Sequence, residues 1–70
     1  MIGLHPGFVA TYDADVGLGT IDDGAGQSIP FHCTAIAGGS RQIAVGTAVT
    51  FVIGAGGPGR WEAHQVTPTD

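Results

Sequence analysis

Val16-Gly17-Leu18-Gly19-Thr20-Ile21, followed after a short acidic break by Ser28-Ile29-Pro30-Phe31-His32-Cys33-Thr34-Ala35-Ile36, is the stretch on which the fold turns. Read as two strands joined through Asp23-Gly24, it separates into two sets of residues. One parity carries Gly17, Gly19, Ile21, Ile29 and Phe31, and the other carries Leu18, Thr20, Pro30 and His32. Successive strand residues point to opposite faces, so the first set predicts an interior and the second an outer face. Glycine on the inward parity lets a strongly curved strand bend tightly, as a closed sheet requires.

The rest of the chain repeats this pattern. Apolar segments rich in β-branched residues are separated by glycine and proline, and no window sustains apolar residues at helical spacing. Strands are predicted over Leu4 to Asp13, Gly17 to Asp22, Ser28 to Cys33, Thr47 to Gly54 and Trp61 to Thr67, with at most one helical turn near Thr34 to Ala37. Asp23-Gly24 and Gly56-Gly57-Pro58-Gly59 are turn signals, because glycine reaches positive φ without steric cost. Val9, Ile21, Ile29, Phe31, Val49, Phe51 and Ile53 share the inward parity, and Ile36 and Ile43 close the core from the long loop. Five short antiparallel strands with one long connection predict an all-β Greek-key barrel. Pro30 has no amide hydrogen, so its amide position is expected to face away from a partner strand.

Seventy residues make one small domain spanning 1–70, with no room for a second core. Such a core supplies only about 3–5 kcal/mol net. Cys33 is the single cysteine, which excludes an internal disulfide and fits a reducing cytoplasm. Neither a secretory leader nor an apolar run of membrane-spanning length is present, so a soluble, unexported chain without a membrane role is expected. The basic side chains are Arg41 and Arg60 against Asp13, Asp15, Asp22, Asp23, Glu62 and Asp70, a net charge of −4. A polyanion held by phosphate contacts needs several cations, and this chain is short of them.

The order of motifs resembles the bacterial cold-shock domain, a five-stranded oligonucleotide-binding (OB-fold) barrel, nearly end to end. Gly7-Phe8-Val9-Ala10-Thr11-Tyr12-Asp13 is similar to the family's G-T-V-K-W-F-N, and Val16 to Ile21 to its K-G-F-G-F-I. Ile29 to Ile36 looks like V-F-V-H-F-S-A-I; Gly46 to Phe51 resembles G-x-x-V-x-F, and Glu62 to Val66 resembles x-A-x-x-V. The resemblance implies a face of aromatic rings, rimmed by lysines, on which bases stack. Carried over position by position, the family's tryptophan is Thr11, its phenylalanines are Tyr12, Leu18, Thr20, Pro30 and Cys33, and its lysines are Ala10 and Val16. Tyr12 and His32 remain able to stack. Each lost ring removes roughly 1–3 kcal/mol per base, so the implied binding is weak.

Several residues carry two readings. His32 is a base or phosphate contact, or a surface residue kept by ancestry; Tyr12 is a stacking ring, or partial core at the barrel edge. Trp61 with Arg60 offers a ring and a cation outside the family's pattern, whereas the commoner role of such a ring is to seal a barrel end. His5, His32, Cys33 and His64 lack metal-ligand spacing, and Asp22 with Asp23 reads as a solvated turn. With no nucleophile arrangement and no cofactor motif, neither an enzyme nor a cofactor is expected.

The function that follows is weak binding of single-stranded RNA or DNA through the outer face of the first three strands, at Tyr12, Leu18, Thr20, Pro30, His32, Arg60 and Trp61. An RNA chaperone or a regulator of transcription or translation would use such binding. The alternative is a diverged barrel whose face meets a protein partner or a second copy, as the acidic rim and the aliphatic Val16 and Leu18 suggest. Strand binding by a dimer, or beside a basic partner, is a variant that the residues do not separate from it.

Overall fold

A computed structural model describes residues 4–39, 42–57 and 59–69. Ser40 and Arg41 of the long loop and Pro58 of the last turn lie outside the described residues. The strands are β1 (His5–Asp13), β2 (Leu18–Asp22), β3 (Ser28–His32), β4 (Ala48–Gly57) and β5 (Arg60–Pro68), with 3₁₀ turns at Cys33–Ala35 and Ala37–Gly39. They close into a barrel in the order β1-β2-β3-β5-β4, with β4 returning to β1. This is the OB architecture.

One junction departs from the antiparallel expectation. β3 and β5 run parallel, with Phe31 opposite Ala63, and Ile36 bridges to Val66 in the same sense. A ring with an odd number of strands cannot alternate direction throughout, so closure of five forces one parallel pair.

Inward residues meet in one cluster of Val9, Ile21, Ile29, Phe31, Cys33, Ile36, Val49, Phe51, Ala63 and Val66, with Tyr12, Ala35 and Ile43 packed against it. Gly19 belongs to the same layer for a steric reason. A Cβ there would stand 2.5 Å from the Thr11 carbonyl oxygen and 2.8 Å from the Phe31 ring. Gly17 adopts φ +72° and faces the Cys33 Sγ, which a Cβ would approach to 2.7 Å. The Cys33 amide donates to the Gly17 carbonyl at 2.7 Å, extending the β2–β3 ladder by one rung.

Two placements correct the sequence reading. Cys33, matched to an outward family phenylalanine, is buried. Ile53, expected in the core, is 39% exposed. Its parity is inward, since it stands opposite Ala63, but the β4–β5 hairpin runs on beyond the barrel, where Ala55 faces Trp61 and Gly57 faces Arg60. Residues on the inner side of that overhang meet an open cleft instead of a core.

The β1–β2 register steps from Val9 opposite Ile21 to Thr11 opposite Thr20, leaving Ala10 as the extra residue of a bulge. A single inserted residue reverses the parity that follows. Tyr12 therefore stands opposite the inward Gly19, and its ring lies parallel to that of Phe31 at 5.8 Å. Pro30 is in register with Thr20, while the β3–β5 pairing is recorded at the neighbouring Phe31, so the proline sits where β3 is bonded on one side.

Candidate nucleic-acid interface

The outer face forms because β2 and β3 alternate without interruption. Leu18 stands opposite His32 and Thr20 opposite Pro30, and β1 adds Asp13 beside Leu18 and Thr11 beside Thr20. Thr11, Leu18, Thr20, Pro30 and His32 line a groove of about 400 Å³ that reaches Arg60, Trp61 and Glu62 on β5. Six of the seven sequence-predicted site residues thus meet in one groove. The seventh, Tyr12, borders a separate hollow with Ala14 and Ile43, because the Ala10 bulge turns its ring away from the shared face.

Each residue of the groove has a definable chemistry. The Thr11 and Thr20 hydroxyls hydrogen-bond each other at 2.8 Å, so two positions matched to family rings now form a small self-satisfied polar pair. His32 caps the first 3₁₀ turn, its Nδ1 accepting from the Thr34 amide at 3.3 Å. An imidazole that accepts at Nδ1 carries its neutral-form proton at Nε2, leaving a donor on the far side of an exposed ring. The two readings of His32 are compatible, since the cap orients the ring that the groove exposes.

Trp61 does not seal the barrel end, because it is 66% exposed. Its ring borders the groove and also a second cleft of about 650 Å³, lined by Gln27, Ser28, Ile29, Pro30, Ile53 and Trp61. Gln27, Ser28 and Ile53 were missed in the sequence, as was Glu62. The signal for Ile53 was its parity match to Ala63, legible only once the hairpin is known to outrun the core. Glu62 Oε1 lies 3.7 Å from His64 Nε2 and brings negative charge to the groove edge beside Arg60.

The remaining carboxylates shape turns. Asp22 Oδ1 accepts from the Gly24 amide at 2.7 Å, and Asp23 Oδ1 accepts from the amides of Ala25 at 2.8 Å and Gln27 at 3.1 Å. Asp13 Oδ1 accepts from the Asp15 amide at 3.0 Å. His5 lies near Phe51, His32 faces out, Cys33 faces in and His64 faces Glu62. Among the described residues, these four side chains do not converge on one point. No helix among the described residues is long and apolar enough to cross a membrane.

A closed five-stranded barrel with an open groove across β2 and β3 has the architecture of the OB-fold class. A family model described as the 'Cold-shock' DNA-binding domain matches residues 5–69, and the chain belongs to that family. The family is one of nucleic-acid-binding rather than catalytic domains. A search of the curated proteins finds no match.

Proposed function

We propose that this barrel binds single-stranded RNA or DNA weakly, in the cytoplasm and without a cofactor, through the groove formed by Leu18, Thr20, Pro30 and His32 with Arg60 and Trp61 on its far bank. Tyr12 supports the groove from beneath by stacking on Phe31. A role as RNA chaperone or as regulator of transcription or translation suits sequence-tolerant, rapidly reversible binding. The observation that carries the reading is the unbroken β2–β3 register, which presents four outward residues, the His32 imidazole among them, beside an exposed indole and a guanidinium.

Weakness follows from the same inventory. The family's platform is reduced to one indole and one imidazole in the groove, and stacking is worth roughly 1–3 kcal/mol per base. Among the described residues, Arg60 is the one arginine lining the groove, so release of only one or two counterions is expected on binding. The slope of log K against log salt is then about −0.7 to −1.4 for a single strand. Anisotropy of a labelled, short, pyrimidine-rich strand at low salt tests this. Saturable binding in the micromolar range with that shallow slope supports the reading, and a flat signal to high micromolar protein refutes it.

A second reading has its own observation. Leu18, Val16, Ile53 and Trp61 are exposed apolar side chains, and Glu62 stands where a phosphate would pass. These features suit a protein partner or a second copy of the chain. Sedimentation that shows a strict monomer, together with strand binding, selects the first reading.

A further inference from the structure

The cleft between the start of β3 and the overhanging hairpin adjoins the outer face at Pro30 and extends beyond it to Gln27 and Ile53, and its lining has a distinctive chemistry. Gln27, Ser28, Ile29, Pro30, Ile53 and Trp61 include no ionisable group. Its lining supplies an indole, a pyrrolidine ring and two isoleucines, together with one carboxamide and one hydroxyl. Among the described residues, the side chains of Gln27 and Ser28 make no hydrogen bond of their own. The Gln27 backbone is nonetheless pinned, since its amide donates to Asp23 Oδ1 at 3.1 Å and its carbonyl accepts from the Asp23 amide at 3.2 Å.

We propose that this cleft is a separate site for one nucleobase, which stacks on Trp61 against Pro30 and Ile53 and presents its hydrogen-bonding edge to Gln27 and Ser28. A largely apolar, open cleft of about 650 Å³ with two polar side chains in its lining has the size and character of a small-ligand site. The exposed Trp61 indole offers a flat face on which a flat ring can stack. A carboxamide and a hydroxyl both donate and accept, so they match an edge with mixed donors and acceptors, as every base has. Among the described residues that line the cleft, a phosphate finds hydrogen-bond donors but no cation.

The occupant is a nucleotide within a strand because the cleft is continuous with the groove already described. Pro30 and Trp61 border both spaces, and Arg60 and the His32 ring lie only on the groove side. A backbone passing Arg60 can turn one base over Trp61 into the cleft while its neighbours lie along β2 and β3. The inference rests on the strand-binding reading. It adds that the main stacking contact has moved from the first three strands to β5, and that base choice is read by neutral groups.

Two measurements test it separately from strand binding. Uridine, which carries no phosphate, is titrated into the ¹⁵N-labelled protein. The Trp61 indole N–H and the Gln27 side-chain amide resonances are expected to move together, with half-saturation at about millimolar uridine. In parallel, labelled-strand anisotropy compares the parent chain with Trp61→Ala and Trp61→Phe, whose folding is checked by circular dichroism. Trp61→Ala is expected to weaken the strand about tenfold or more, and Trp61→Phe to hold it within about threefold.

Equal strand affinity for Trp61→Ala and the parent overturns the cleft while leaving strand binding intact. Equal shifts with N-acetyltyrosinamide at the same concentration overturn the assignment to a nucleobase in favour of an aromatic side chain. Failure of the parent to bind any strand defeats the strand-binding reading. Uridine shifts confined to Trp61 and Gln27 would in that case still uphold the cleft as a nucleobase site.

Discussion

Strands β2 and β3 present two surfaces from the same ten residues, and the two surfaces differ in kind. The inner one holds Gly19, Ile21, Ile29 and Phe31, all buried, and it agrees with the cold-shock pattern closely. The outer one holds Leu18, Thr20, Pro30 and His32, and only His32 keeps the family's residue type. Inside, each position is fixed by volume. Gly19 has the Thr11 backbone and the Phe31 ring against it, and an interior packed near crystal density transmits any added atom as strain. Outside, the barrel itself imposes little, and residue choice follows whatever the face must touch. A change of ligand affinity can therefore be written on one side of a strand without disturbing the other.

That contrast can be broken by experiment, starting where the effect is greatest. Gly19→Val places a branched side chain against the Thr11 carbonyl and Phe31, and is expected to cost about 3 kcal/mol. A small core supplies only about 3–5 kcal/mol net, so thermal denaturation should lose its cooperative transition near room temperature. A sharp, parent-like melt would show the inner layer to be looser than described.

On the outer layer the same strands should tolerate large rings. Leu18→Phe with Thr20→Phe is expected to change stability by less than about 1 kcal/mol, although it removes the Thr11–Thr20 hydrogen bond. Strand affinity should rise about tenfold for each restored ring, read by anisotropy. No gain would mean that the groove does not carry the bases.

Smaller effects sharpen the picture at β5. Arg60→Gln should weaken strand binding about threefold at low salt and lower the magnitude of the salt slope by about 0.7. Glu62→Gln should strengthen it about twofold at low salt, with the difference vanishing at 1 M salt, where the screening length is about 3 Å. An Arg60 variant with an unchanged slope would place the phosphates elsewhere.

Much of the fold was readable because alternation is a strong signal where it is uninterrupted. The β2–β3 register and the burial of Val9, Ile21, Ile29, Phe31, Val49 and Phe51 follow from parity alone. Parity failed at the two places where geometry intervenes between sequence and surface. The Ala10 bulge turned Tyr12 toward the core, and the extension of β4 and β5 beyond the barrel exposed Ile53 and Trp61. Neither a bulge nor an overhang has a residue signature strong enough to read in a single chain. The cleft beside Trp61 was hidden for the same reason, since it joins the start of β3 to Ile53 and Trp61, which lie far along the chain on the last hairpin.

The claim at the centre is that an intact interior now carries a reduced but working groove on its outer face. Amide and side-chain shift mapping with a short pyrimidine strand at low salt tests it most directly. The expected result is a contiguous set of perturbations at Leu18, Thr20, His32, Arg60 and Trp61, with Ile21 and Phe31 little changed. Perturbations clustered at Tyr12, Ile43 and Ala44, or none at saturating strand, would contradict it.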